Sequence, residues 1–102
     1  MIHLSAHQRV VIQTLLAEYV PQMSVLAYGS RVNGASHEAS DLDLVVMDPV
    51  DPTRAQARMG ALREAFRESS LPISIDLVDW ARIPETFREE IQKNCEPIWP
   101  VS

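Results

Sequence analysis

The sequence is poor in cysteine and has no long apolar run. A single thiol, Cys95, permits neither an internal disulfide nor a zinc site built from several cysteines. No segment approaches the roughly 18–20 apolar residues that a membrane-spanning helix needs. The first residues also lack the basic and apolar segments of a signal peptide. These absences predict a cytoplasmic protein that does not contact a membrane.

Positive charge is also scarce, with nine Lys and Arg against fourteen Asp and Glu and a formal net charge of −5. Because no basic cluster concentrates positive charge, direct nucleic-acid binding is not expected. A nucleotide can still bind an acidic protein if metal ions supply the positive charge. The 102 residues, 46% hydrophobic and 23% charged, predict one globular domain over residues 1–102.

Periodic apolar positions predict helices. The segment Ser5-Ala-His-Gln8 matches a capping box, so a helix is expected to begin there and to end near Val20, before a proline. Asp51 is expected to cap a second long helix that runs to about Ser69. Apolar residues at four-residue steps predict an amphipathic last helix with the lone thiol on its buried side: Ile83, Phe87, Ile91 and Cys95.

Short apolar runs predict three strands, over residues 23–28, 42–47 and 73–78. The predicted order is αβ(α)βαβα, where the bracketed helix is a short one between the first two strands. This order indicates an α+β fold with a small mixed sheet flanked by helices. We interpret the apolar residues 98–101 as a tail that contacts a partner or another copy, which leaves a homo-oligomer and a hetero-oligomer open.

The segment after the first predicted strand carries the polar residues of interest. Gly29-Ser30 can offer backbone N–H groups and a hydroxyl to a phosphate, although such a pair alone is usually a turn. Asp41 and Asp43 change this balance, because residues two apart on a strand project from the same face. Paired carboxylates repel each other unless a cation lies between them, and Mg²⁺ prefers oxygen ligands. Tyr28, just before this segment, is interpreted as a core residue.

A third carboxylate is expected from the last predicted strand. Asp76 lies on the face opposite to the apolar residues of that strand, and a buried isolated charge needs a partner. If the two acidic strands are neighbours, Asp76 joins Asp41 and Asp43, which is enough to hold two Mg²⁺ that bridge nucleotide phosphates. Asp79 is the alternative third ligand, but its place at the end of the strand favours a turn-capping role.

Gly29-Ser30, the ten residues 31–40 and Asp41-Leu-Asp43 together form a two-part pattern. This pattern resembles the signature of the minimal nucleotidyltransferase (MNT) family in the DNA polymerase beta-like superfamily. Asp76 falls where that family carries its third acidic residue, so the resemblance covers most of the chain. His37, inside the spacer, is expected to be solvated, and no histidine ligand is expected.

The resemblance implies metal-dependent transfer of AMP from ATP to a hydroxyl. Gly29 and Ser30 would bind the β and γ phosphates, and Arg31 would either contact a phosphate or pair with a surface carboxylate. Two Mg²⁺ would be held by the three carboxylates, of which Asp76 would also help to deprotonate the acceptor. Stand-alone members of this size resemble antitoxins that add AMP to a tyrosine of a HEPN-domain toxin, which predicts such a toxin as partner and acceptor.

Two alternatives to this function remain open at this point. One is an antitoxin that neutralises its partner by contact alone, with a vestigial acidic site. The other is nucleotidyl transfer to a small molecule. The three carboxylates, Asp41, Asp43 and Asp76, favour a working enzyme over a decayed one.

Overall fold

A four-stranded mixed sheet organises the chain. The computed structural model describes residues 2–35 and 40–101. The elements in chain order are α1 (Ala6–Tyr19), β1 (Ser24–Tyr28), α2 (Ser30–Asn33), β2 (Leu42–Met47), α3 (Met59–Arg67), β3 (Ile75–Asp79), a 3₁₀ turn (Trp80–Arg82), α4 (Glu85–Lys93) and β4 (Cys95–Trp99). In these two ranges no helix has the length and apolar character that crossing a membrane requires.

The strand order is β3-β2-β1-β4. β1 lies antiparallel to both β2 and β4, whereas β2 lies parallel to β3. The larger core cluster joins the sheet to α1 and α3 and includes Ile12, Leu16, Leu42, Leu44, Val46, Leu62 and Leu77. The smaller cluster lies on the other face and includes Tyr28, Val45, Trp80 and Ile91. The α+β fold class with a small mixed sheet is therefore confirmed.

The first helix begins as its capping box predicts. The Ser5 hydroxyl accepts a hydrogen bond from the Gln8 N–H at 3.1 Å, and the Gln8 side chain accepts one from the Ser5 N–H at 3.0 Å. α1 ends at Tyr19, directly before Val20 and its following proline. β2 has the predicted bounds, and its leucines face the larger cluster.

The helix predicted to start after Asp51 is wrong in its first half. α3 begins only at Met59, and residues 52–58 form a turn followed by irregular, non-helical chain. The carboxylate of Asp51 accepts hydrogen bonds from the Thr53 N–H at 3.1 Å and from the Thr53 hydroxyl at 2.6 Å. This Asx-type contact closes a turn instead of opening a helix, because a short polar side chain competes with the helical backbone for N–H groups.

The predicted ending on a helix is also wrong, because the order αβ(α)βαβα lacks a fourth strand. α4 ends at Lys93, and Cys95–Trp99 forms β4 along β1. The four-residue step from Ile91 to Cys95 fits the period of a helix and so predicted that α4 would continue to Cys95. Pro97 argued against a strand, because proline is rare inside strands. A proline is tolerated there because β4 is an edge strand. The first two residues of the expected apolar tail, Ile98 and Trp99, are therefore part of the sheet, and the Trp99 indole donates to the Pro21 carbonyl at 3.2 Å.

Candidate active site

The register of the sheet places two predicted carboxylates side by side. Tyr28 on β1 is the register partner of Asp43 on β2, and Asp43 is the partner of Asp76 on β3. All three lie on the face of the smaller core cluster, since Val45 and Val78, two residues further along, belong to that cluster. Asp43 is half-buried and Asp76 is exposed, so the row formed by Tyr28, Asp43 and Asp76 is open to solvent on the β3 side.

The carboxyl groups of Asp43 and Asp76 act on each other. Burial is the largest cause that raises the pKa of Asp43, followed by the negative charges of Asp76 and Asp41 and a hydrogen bond with Asp76. Two carboxylates on paired positions of neighbouring strands repel each other at neutral pH unless they share a proton or a cation. Hard divalent cations take carboxylate oxygens as ligands, so this pair fits Mg²⁺.

Asp41 lies directly before β2 and is exposed. Its charge reaches Asp43, as the raised pKa of Asp43 shows. Within residues 2–35 and 40–101, however, no group of three His, Cys, Asp or Glu side chains is arranged closely enough to hold a metal ion. The structure thus brings together Asp43 and Asp76, while the role of Asp41 as a ligand stays a prediction.

Gly29 brings the turn after β1 against the carboxylate of Asp43. Its φ is +79°, a left-handed conformation that favours glycine. A Cβ at this position would overlap the Oδ2 atom of Asp43 and lie 3.3 Å from its Cγ. The absence of a side chain at Gly29 is therefore a geometric requirement of the site.

Ser30 begins α2, a helix of four residues. The N–H groups of Val32 and Asn33 donate to the Gly29 carbonyl at 3.0 Å each. The N–H and hydroxyl of Ser30 come before these bonds, in the first turn, where backbone donors are available to an anion. Phosphate binding by Gly29 and Ser30 stays a prediction. Residues 36–39 of the spacer, which include His37, lie outside the described residues.

Arg31 is buried, with 3% of its surface exposed. Its Nε donates to the Ser40 carbonyl at 2.9 Å, and its Nη1 donates to the His3 carbonyl at 2.6 Å. The His3 N–H in turn donates to the Arg31 carbonyl at 2.7 Å. This arrangement ties the segment before α1 to the residue before Asp41. Both expectations for Arg31, contact with a phosphate and pairing with a carboxylate, stay predictions.

Asp79 lies on the other face of the sheet from Asp43 and Asp76. It is the register partner of Val46, a residue of the larger core cluster, and only 4% of its surface is exposed. Its carboxylate accepts hydrogen bonds from the N–H groups of Gln56 (2.7 Å) and Ala81 (3.2 Å) and from Nε of Arg82 (3.2 Å). The expected turn-capping role is confirmed, since Asp79 caps the 3₁₀ turn.

Tyr28, interpreted from the sequence as a core residue, also borders the carboxylates. Its ring packs edge-to-face against Phe87, with centroids 5.7 Å apart and planes at 81°. Burial, and then the charges of Asp43 and Asp76, raise the pKa of its hydroxyl, which therefore stays neutral at physiological pH. Two features of the sequence could have predicted this position of Tyr28. It comes immediately before Gly29, and it lies on a strand that could run antiparallel to the strand of Asp43.

Comparison with known proteins agrees with this geometry. The family model for "Poly(A) RNA polymerase, mitochondrial-like, central palm domain" matches residues 2–96. The probable protein adenylyltransferase MntA of Haemophilus influenzae is 42% identical over 90 residues, which cover 88% of this chain and 77% of that protein. This chain belongs to the minimal nucleotidyltransferase family. The predicted family and enzyme class are thus confirmed.

Solved structures share the fold of this nucleotidyltransferase. A crystal structure of a toxin–antitoxin with AMP-PNP matches with a TM-score of 0.70 and 21% identity, over 92% of this chain and 74% of that chain. A crystal structure of the toxin–antitoxin MntA-HepT matches with a TM-score of 0.62 and 18% identity, over 91% of this chain and 70% of that chain. At these identities the similarity establishes the fold.

Proposed function

We propose that this nucleotidyltransferase transfers AMP from ATP to a tyrosine hydroxyl of a HEPN-domain toxin and so acts as its antitoxin. The observation that carries the proposal is the register pair of Asp43 and Asp76, with Gly29 packed against Asp43. The 42% identical relative is named as a probable protein adenylyltransferase, and the structural relatives are toxin–antitoxin complexes, one with an ATP analogue. An adenylyl donor, a protein acceptor and a toxin partner follow from these names by analogy, whereas the tyrosine hydroxyl and the HEPN domain of the toxin follow from the family resemblance.

Mg²⁺ would be held by Asp43 and Asp76, with Asp41 as the third carboxylate. When bound, such ions offset the negative charge of the triphosphate and stabilise the charge that develops during transfer. Without them, an acidic site would repel ATP. Three carboxylates suffice for two ions, which matches the charge of about −4 on a triphosphate.

The remaining roles belong to the residues of the chain. The N–H and hydroxyl of Ser30, next to a Gly29 without a side chain, would bind the β and γ phosphates. Asp76, on the solvent-exposed side of the pair, would orient the acceptor hydroxyl and take up its proton. The acceptor oxygen forms a bond to the α phosphorus while the bond from that phosphorus to the bridging oxygen breaks, and pyrophosphate leaves.

The test is to co-express the chain with its candidate toxin and to measure the intact mass of the purified toxin. We expect a gain of one or more AMP units with the wild-type chain and none with Asp43→Asn. Asp51→Asn is the matched control, because the Asp51 carboxylate accepts hydrogen bonds from Thr53 in the turn that follows β2, whereas Asp43 lies near the start of that strand.

Three outcomes would contradict the proposal. Equal mass gain with Asp43→Asn would exclude the carboxylate pair as the catalytic centre. Toxin neutralisation without mass gain, which also survives Asp41→Ala, would favour an antitoxin that acts by contact. An AMP adduct on a small molecule in the absence of any partner protein would favour the third alternative.

A further inference from the structure

β3 is an edge of the described sheet, and it carries Asp76. The Leu42 N–H donates to the Ser74 carbonyl at 3.0 Å, and β2 and β3 are parallel. Because the backbone groups of successive residues in a strand point to opposite sides, those of Ser74 and Asp76 face β2. The backbone groups of Ile75 and Leu77 therefore point outward, away from the sheet.

A groove of about 330 Å³ runs between this edge and α3. Its wall on the α3 side is formed by Arg63, Phe66 and Arg67. Nη2 of Arg63 donates to the Leu77 carbonyl at 3.1 Å, so this guanidinium already lies on the strand edge. Arg67 forms an exposed ion pair with Glu64. The groove thus concentrates two cations on a chain whose net charge is −5.

We infer that this groove binds the acceptor: an extended segment of the partner protein pairs with the outer edge of β3 and places its hydroxyl opposite Asp76. This inference rests on the proposed function and describes how its acceptor is held. Side chains alternate along a strand, so the residue opposite Asp76 projects on the face of the carboxylates. Its neighbours project on the α3 side, where Arg63 and Arg67 favour an acidic side chain.

The chemistry of the edge favours a peptide over other ligands. Outward N–H and carbonyl groups of Ile75 and Leu77 are matched by the backbone of an added strand. The Leu77 carbonyl has a second lone pair and can accept a hydrogen bond from this strand as well as from Arg63. A nucleic acid offers no such pattern of backbone N–H and carbonyl groups.

The test uses the full chain and a short synthetic peptide with one tyrosine flanked by glutamates. A matched peptide carries lysines instead. Binding is measured without ATP, by titration and by hydrogen exchange of the Ile75 amide. We expect the glutamate peptide to slow exchange at Ile75, and the lysine peptide to bind about two- to fivefold more weakly, as loss of a surface charge pair predicts.

Variants separate the groove from general charge effects. Arg67→Glu is expected to weaken binding of the glutamate peptide about two- to fivefold. Lys93→Glu is the matched control, because Lys93 forms the same kind of exposed i,i+3 pair with Glu90, on α4. It changes the net charge equally and should leave binding unchanged. Both variants should retain the wild-type unfolding midpoint, since exposed pairs contribute little to stability.

The inference is overturned by unchanged exchange at Ile75, by equal affinity for the two peptides, or by equal effects of Arg67→Glu and Lys93→Glu. Protection of Ile75 by a single-stranded RNA oligonucleotide in place of the peptide would also overturn it. These measurements distinguish failure of peptide binding at the β3 edge from failure of AMP transfer. A peptide that protects Ile75 but gains no AMP after ATP and Mg²⁺ are added supports the docking site and contradicts the proposed transfer.

Discussion

Gly29 and Asp43 approach each other so closely that a Cβ on Gly29 would overlap a carboxylate oxygen of Asp43. The turn after β1 and the first acidic strand are therefore fitted to each other, and the left-handed φ of +79° adds a second reason for glycine. One substitution at this position strains the backbone and displaces the carboxylate that pairs with Asp76. The matched position is Gly34, which has a φ of +86° and where, among residues 2–35 and 40–101, no atom would lie within 4 Å of an added Cβ.

Gly29→Ala should lower AMP transfer about 100-fold, because a displacement of about 1 Å in a catalytic group can cost that much. It should also lower the free energy of unfolding by about 1–2 kcal/mol through its left-handed backbone. Gly34→Ala has the cost of a positive φ without the overlap with Asp43, so it should lower the free energy of unfolding by less and should keep kcat. Transfer assays and urea unfolding of the two variants check this. Equal activity of both variants would show that the contact with Asp43 is unimportant.

The facing carboxylates predict opposite effects of Asp43→Asn on stability and activity. The variant removes the repulsion between Asp43 and Asp76, so in a chelator at neutral pH it should unfold at an equal or higher urea concentration than the wild type. Added Mg²⁺ should stabilise the wild type and have little effect on the variant, because ligand binding to the native state raises stability. If Mg²⁺ stabilised both equally, the ion would bind elsewhere.

The carboxylate pair could be predicted from sequence because it needs only two regularities. Side chains alternate along β2, and Asp76 becomes a neighbour of Asp43 once the two strands are adjacent. The start of α3 could not be predicted, because Asp51 fits a helix cap and an Asx turn equally well and only the observed contact with Thr53 decides. β4 could not be predicted because it contains Pro97, and proline is tolerated only in edge strands. Whether a strand lies at an edge depends on the whole sheet and not on local sequence.

Arg31 and Tyr28 show a different limit of sequence analysis. The role of Arg31 depends on the carbonyl groups of His3 and Ser40, which are far apart in sequence and come together only in the fold. Tyr28 acquires its place beside the carboxylates through the antiparallel register of β1 and β2. Neither residue forms part of a short motif with the groups that it contacts, so residue spacing alone does not reveal these contacts.

Arg31→Lys tests the contacts that this buried guanidinium makes with two segments. A lysine offers one ammonium group and cannot reproduce the spread of Nε and Nη1, so at least one carbonyl loses its donor. We expect the free energy of unfolding to fall by about 1–3 kcal/mol. Arg54→Lys is the control, since Arg54 is exposed and pairs with Asp48 at 3.5 Å. Unchanged stability together with a raised KM for ATP would instead favour phosphate contact.

Asp79→Ala separates structural from catalytic carboxylates. Asp79 accepts hydrogen bonds from Gln56, Ala81 and Arg82 on the face away from Asp43. Its loss leaves these donors without this carboxylate, so the free energy of unfolding should fall by about 1.5–3 kcal/mol, the range for hydrogen bonds to a charged group. Measured per folded molecule at low temperature, kcat and the response to Mg²⁺ should stay at wild-type values, whereas Asp76→Asn should abolish both. A loss of kcat in Asp79→Ala with the fold intact would make Asp79 the third ligand.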